Sequence, residues 1–284
     1  MTDQENLDPR IHPFRDDLAA SYLRGRVNAA RFIDGVPCQI SSGFTALKEK
    51  PSFEARQSTE LLLGEGFTVL DEHDGWAWGQ NETDGYVGWL RVEALEAGLT
   101  EATHKVTALR TFLQPEADLK LPFLDVLPMG ACVVVTGNQG DWCQVEGGGW
   151  VHARHLASVD DYASDFVAVA ERFVGTPYLW GGRTSIGIDC SGLVQLALLA
   201  AGVDCPRDSD QQAASVGALI SADGVGVEYR RGDLVFFPGH VGIMTDATTL
   251  LHANAFHMAV VAEPLAHVVA RAGAKGINAV KRLG

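Results

Sequence analysis

Part of this chain is written twice, and that repetition limits its fold more than any other feature. Thr45-Ala46-Leu47-Lys48 returns as Thr107-Ala108-Leu109-Arg110, and Gly64-Glu65-Gly66-Phe67-Thr68-Val69-Leu70 has its counterpart in Gly130-Ala131-Cys132-Val133-Val134-Val135-Thr136. Each copy passes through a turn to a tryptophan, Trp76 or Trp142, and closes on a Gly-Trp element. These elements are Gly88-Trp89-Leu90 running to Leu95, and Gly149-Trp150-Val151 running to Leu156. A repeat of this kind is one supersecondary unit used more than once. Short apolar or alternating segments broken by Gly, Pro, Asn and Asp make that unit β-structure. The spacing predicts two small β-barrels of about 60 residues each, over residues 32–97 and 98–158. Taken singly, these tryptophans and glycines also read as plain core and turn residues.

Residues 1–31 precede the repeat as a charged arm, with a weakly helical stretch from Asp16 to Arg31. After Asp160 the pattern changes. Phe166, Val169, Ala170 and Phe173 recur at helical spacing. A glycine-bearing loop, Gly175 to Gly182, leads to Asp189-Cys190-Ser191-Gly192 and an apolar helical run from Leu193 to Ala201, stopped by Gly202. Strands are expected at Asp233 to Phe237, His240 to Thr245 and Leu250 to Asn254, with a last β-like segment at Gly276 to Arg282. Helices followed by an antiparallel sheet make residues 159–284 an α+β domain.

The balance of 22 basic against 36 acidic residues gives a formal charge of −14. Such a chain repels phosphate before any contact forms, which excludes a general role in binding nucleic acid or anionic membrane. No apolar run reaches the roughly 18 residues that a membrane span requires. Met1 to Arg10 is polar and acidic, unlike a secretory leader, so a cytoplasmic location is expected. Five cysteines, Cys38, Cys132, Cys143, Cys190 and Cys205, form an odd set without CxxC spacing, so no disulfide framework or zinc ribbon is indicated.

The chemistry concentrates around Cys190. At the start of a predicted helix, free N–H groups and the helix dipole favour an anion, so this thiol is expected to ionise more readily than a free one. Gly181, Gly182, Gly187 and Gly192 leave room for a substrate backbone, and the Cys190 N–H is placed to donate to an oxyanion. Cys132 and Cys143 lie on apolar strands and Cys205 lacks a glycine cradle, which points to packing. A histidine partner comes from Pro238-Gly239-His240-Val241-Gly242-Ile243-Met244. With Asp246 at the centre of a hairpin, opposed residues sum to 492, which sets His240 against His252 on one face, about 5 Å apart at Cβ. His252 then fixes the tautomer of His240, as a carboxylate does in other triads. On residues alone, packing of the cysteine and ordinary strand histidines remain an alternative to catalysis.

Residues 165–284 resemble the NlpC family of peptidoglycan cysteine peptidases. The likeness rests on Gly175 to Gly182, Asp189-Cys190-Ser191-Gly192-Leu193-Val194, Arg207-Asp208-Ser209, Arg231-Gly232-Asp233-Leu234-Val235-Phe236-Phe237 and Gly239-His240-Val241-Gly242-Ile243. The preceding pattern of strand, turn, Trp, strand, Gly-Trp resembles bacterial SH3-like domains. Together these imply a papain-like domain behind two SH3-like barrels, with Cys190 as nucleophile, His240 as general base and acid, and His252 as orienting third member. The arrangement resembles the branch of γ-D-glutamyl-L-diamino acid endopeptidases that cut muropeptides. In that branch the first SH3-like domain helps form the pocket for a free N-terminal L-alanine. The resemblance implies Tyr86, Asp208 and Glu60, with Glu65 as the other acidic possibility, for its ammonium. Asp189 and Ser209 are implied to line the cleft toward the γ-D-Glu portion, joined by Ser191, Tyr178 and Trp180 from the same motifs. No metal or cofactor is called for. A peptidoglycan-binding pseudo-enzyme and a cysteine-dependent amidase or acyltransferase are the rival readings on this fold.

Overall fold

The computed structural model describes residues 7–284, and the chain divides into two compact units, Met1–Val159 and Asp160–Gly284. In the first unit the sequence repeat becomes a repeat of elements. Each copy has a strand beginning at its first tryptophan (Trp76–Asn81, Trp142–Val145) and a Gly-Trp strand (Val87–Arg91, Trp150–His152). A 3-10 turn (Val92–Ala94, Ala153–His155) and a closing strand (Leu95–Ala97, Leu156–Ser158) follow. The closing strand pairs antiparallel with the first strand of its own copy, Val36–Ile40 or His104–Val106.

The two copies are not equal. The first forms one seven-stranded sheet around Ile40, Leu47, Leu61, Phe67, Ala77, Tyr86 and Leu90. The second is divided among sheets of three, two and three strands over smaller side chains, Val106, Leu127, Ala131, Val133, Val145 and Val151. Gly88 shows why the closing motif needs glycine. A Cβ there would stand 2.7 Å from Cγ of Leu47, so only hydrogen lets the two strands approach.

The arm departs from its expected helix. Leu18–Ala20 is a strand paired in parallel with Arg31–Ile33, and Ser21–Leu23 is a 3-10 turn. Leu18, Ala19, Ala20 and Leu23 are all buried, and three consecutive buried residues do not fit a helical stripe. The Arg15 guanidinium lies 4.4 Å over the Trp78 ring and pairs with Asp71 at 2.5 Å, which fastens the arm to the first sheet. The first six residues of the arm lie outside the described residues.

The second unit begins with three helices, α1 (Phe166–Glu171), α2 (Cys190–Ala200) and α3 (Ser209–Ser215). Strands β1 (Ala218–Ser221), β2 (Leu234–Phe237), β3 (His240–Met244), β4 (Thr249–Asn254) and β5 (Ala259–Pro264) come next, then α4 (Leu265–Ala272) and β6 (Ala279–Arg282). The strands form one antiparallel sheet in the order β1-β6-β2-β3-β4-β5. Helix α2 is buried from Cys190 to Leu198 and packs on β3 and β4, as expected of a helix that is apolar around most of its circumference. Strand β5 and helix α4 extend the expected pattern. Leu265 and Val268 turn inward from α4 onto Val235, Phe237, Met244 and Leu250. Among the described residues no helix is long and apolar enough to cross a membrane.

Candidate active site

Cys190 is the first residue of α2, and the residue before it decides how that helix begins. Asp189 is the N-cap, with Oδ1 accepting from Gly192 N at 2.7 Å. Its Oδ2 accepts from Gly181 N at 2.8 Å. Arg207 closes the carboxylate from the other side through Nη1 to Oδ1 at 3.0 Å and Nη2 to Oδ2 at 2.6 Å, and donates to Ser191 Oγ at 2.9 Å. Both charges are buried, Arg207 at 1% exposure and Asp189 at 7%. Such a pair persists only when its donors and acceptors are matched, as here. Gly192 lets the Gly181–Gly182 loop lie against the helix, since a Cβ would come within 2.4 Å of Gly182 O.

The histidines arrive on neighbouring strands, with a correction to the expected register. Observed pairs are Ile243 with Leu251 and Met244 with Leu250, which sum to 494. Asp246 does not centre the turn; it starts it. Its Oδ1 accepts from Thr248 N at 2.8 Å and Thr249 N at 3.0 Å, while Thr245 N reaches Thr249 O at 2.9 Å. A shift of two keeps side-chain parity, so His240 and His252 still share a face, as diagonal neighbours. His240 Nε2 and His252 Nδ1 are 2.7 Å apart, and the ring centroids 5.0 Å. The other nitrogen of His252, Nε2, lies 2.9 Å from Oε1 of Glu263 on β5. Arg271 on α4 grips Glu263, with Nη1 donating to Oε2 at 2.8 Å and Nη2 to Oε1.

Helix α2 packs on β3, and the backbone N–H groups of Val241 and Ser191 act to lower the Cys190 thiol. Val241 follows His240 directly. Burial pushes the Cys190 thiol up to about 12, and the Asp189 charge adds to this; the two N–H groups and the Arg207 guanidinium pull the other way. The expected easy ionisation is therefore overturned: desolvation at this depth outweighs what the helix terminus supplies. His240 moves in the opposite sense. Burial, then His252 and Arg271, hold it down at about 3. Burial also lowers His252, against the raising influence of Glu263. The Arg271 hydrogen bond holds Glu263 at about 2. Burial thus disfavours charge on the thiol and on both imidazoles, while Arg271 favours the ionised form of Glu263.

The remaining expected residues fall into distinct settings. Tyr178 is half-buried, its hydroxyl pushed up to about 12 by burial, then by Cys190 and Asp189. Trp180 is 67% exposed. Ser191 receives its bond from Arg207. Asp208 caps α3, its backbone N donating to Gln211 Oε1 at 3.4 Å, and Ser209 opens that helix. The oxygens of Asp189, expected to meet substrate, are taken by Arg207 and backbone N–H groups. In the first unit Tyr86 is a core residue and Glu60 is buried, while Glu65 Oε2 accepts from Leu62 N at 3.2 Å. Sequence reasoning missed Arg207 as the partner of Asp189, and Glu263 and Arg271 altogether. Their signal was the alternation of β5 and the inward Leu265 and Val268 of α4, which place Glu263 beside β4. Among the described residues, no three His, Cys, Asp or Glu side chains are grouped to hold a metal ion.

Comparison with known proteins finds related sequences for both units. Residues 175–272 match the profile of the NlpC/P60 family, and residues 47–95 that of the bacterial dipeptidyl-peptidase SH3 domain. Dipeptidyl-peptidase 6 of Lysinibacillus sphaericus is 36% identical over 108 residues, which span 37% of this chain and 38% of that protein. A γ-D-glutamyl-L-lysine dipeptidyl-peptidase of Bacillus subtilis strain 168 is 28% identical over 221 residues, 69% of this chain and 71% of its own length. The crystal structure of an NlpC/P60 family protein from Bacillus cereus ATCC 10987 superposes with a TM-score of 0.73 at 19% identity, covering 87% of this chain and 99% of that one. The likeness to that structure is one of fold.

Proposed function

From a chain that carries an NlpC/P60 domain and a bacterial dipeptidyl-peptidase SH3 domain, we propose a cysteine endopeptidase. It hydrolyses the γ-D-glutamyl-L-diamino acid bond of peptidoglycan-derived peptides that keep a free N-terminal L-Ala, in the recycling of muropeptides. The names of the relatives support the substrate class. One observation carries the chemistry: Cys190 heads the helix that packs on β3 and β4, the strands whose His240 and His252 lie 2.7 Å apart.

In this reading the Cys190 proton passes to His240 and the sulfur attacks the γ-glutamyl carbonyl. The tetrahedral oxyanion forms next to the N–H of Cys190. His240 then gives its proton to the departing amine of the diamino acid, which leaves a thioester. Water, deprotonated by His240, cleaves the thioester, restores the thiol and frees L-Ala-γ-D-Glu. A thiol and imidazole that are both neutral at rest separate charge only as attack proceeds, which spares the buried site a standing ion pair. Recognition of the substrate ammonium is assigned to acidic acceptors, with Asp208 the one in the same unit as Cys190.

Incubation with L-Ala-γ-D-Glu-meso-diaminopimelate tests the proposal. The expected products are L-Ala-γ-D-Glu and the free diamino acid, with none from Cys190→Ala. Intact substrate after prolonged incubation with wild-type protein would refute peptidase action on this bond. N-acetylation of the substrate should raise KM sharply; equal cleavage of blocked and free peptides would dismiss an ammonium site.

A further inference from the structure

The histidine pair does not end at His252. We infer that Glu263, clamped by Arg271, is a positioning residue that sets the tautomer of His252 and through it presents Nδ1 of His240 as the proton acceptor. The inference rests on the assignment of Cys190 and His240 as the reacting pair, and it extends that assignment by two residues.

Each step follows from what the groups can donate and accept. An ionised carboxylate only accepts hydrogen bonds. His252 Nε2, 2.9 Å from Glu263 Oε1, must therefore carry its proton. A neutral imidazole has one N–H, so His252 Nδ1 is bare and accepts. The 2.7 Å contact then requires the proton of His240 on Nε2. What remains is His240 Nδ1, a lone pair with no hydrogen-bond partner among the described residues. A thiol proton has that nitrogen as its acceptor. When it arrives, His240 becomes an imidazolium whose charge is bonded through His252 to the Glu263 carboxylate.

The surroundings keep Glu263 in its accepting state. Arg271 meets both of its oxygens, and its guanidinium lies 4.5 Å from the Phe256 ring centroid, which fixes the fork in place. His257 Nε2 is 3.3 Å from the same Oε1. Among the described residues, His252, His257 and Arg271 are the basic side chains that face the carboxylate. Its side chain is 12% exposed while His252 is 1% exposed, so the chain of bonds runs from the edge of solvent into the site. An ion pair that only braced α4 against β5 would need the Arg271 contacts and no imidazole.

Long-range ¹⁵N–¹H spectra of histidine-labelled full-length protein test this without any variant. The expected spectrum at neutral pH shows His252 and His240 each protonated on Nε2; a proton on Nδ1 of His252 would overturn the inference. Glu263→Gln, whose amide can present either a donor or an acceptor, should give mixed tautomers at His252. Its kcat on the γ-D-glutamyl peptide should fall about 10- to 100-fold with KM within about twofold. Glu263→Asp should restore the single tautomer and part of kcat. A Gln variant with wild-type tautomer and kcat would equally overturn it. Should wild-type protein fail to cut the peptide while showing the stated tautomers, the substrate reading falls and the positioning role stands.

Discussion

Two arginine–carboxylate pairs flank the sulfur and the imidazoles, and they are built alike but buried differently. Arg207 forks onto Asp189 at the start of α2 with side-chain exposures of 1% and 9%. Arg271 forks onto Glu263 behind His252 with exposures of 29% and 12%. In the first pair the carboxylate also ties down Gly181 N and Gly192 N, so it fixes the backbone that carries Cys190. In the second it takes an imidazole N–H, so it fixes a proton. The same pairing serves stability where water is excluded and chemistry where the pair touches a titratable ring.

The largest effect expected from this contrast is on folding. Arg207→Leu leaves the Asp189 charge buried without its partner, and urea unfolding should show a loss of about 3–5 kcal/mol. A loss below about 1 kcal/mol would break the distinction between the pairs. Next in size is the effect of acid. His240 is held at about 3 in the fold against its usual 6.5, so the unfolded chain takes up a proton that the native site refuses. Stability from this group is complete above pH 6.5 and is lost as pH falls toward 3. Glu263, held at about 2 against 4.5, loses its own contribution lower down, as pH falls through 4.5 toward 2. Melting temperatures recorded from pH 7 to pH 4 should fall less steeply for His240→Gln than for wild type; parallel curves would contradict a buried neutral imidazole. The smallest effect on stability belongs to Arg271→Met, within about 1 kcal/mol because the pair is partly solvated. Its kcat should still drop, since Glu263 then lacks its clamp. A variant that unfolds as readily as Arg207→Leu would show the two pairs to be equivalent.

How far the sequence could be read depended on how local each signal was. The repeat was visible because its glycines and tryptophans are adjacent in sequence, and the elements from Trp76 to Ala97 recur from Trp142 to Ser158. Helix α2 was legible from an apolar run, Leu193 to Ala201, stopped by Gly202. The face shared by His240 and His252 survived an error of two in register, since strand parity is unchanged by an even slip. Three features were beyond local pattern. The arm's Leu18–Ala20 is a strand because it pairs with residues 31–33, a partner its own composition does not name. The thiol is raised because α2 is covered on all sides, which spacing does not reveal. Glu263 meets His252 from β5 and Arg271 meets Glu263 from α4, elements outside the motifs that carry Cys190 and the histidines, and only the fold brings them together.

The central claim is that Cys190 is the attacking atom, and it is tested most directly by carrying out limited alkylation with iodoacetamide and locating the adduct by peptide mapping. The account predicts that cleavage of L-Ala-γ-D-Glu-meso-diaminopimelate declines in step with carbamidomethylation of Cys190 and is absent when that residue is fully modified. Full turnover by protein completely alkylated at Cys190 would contradict it.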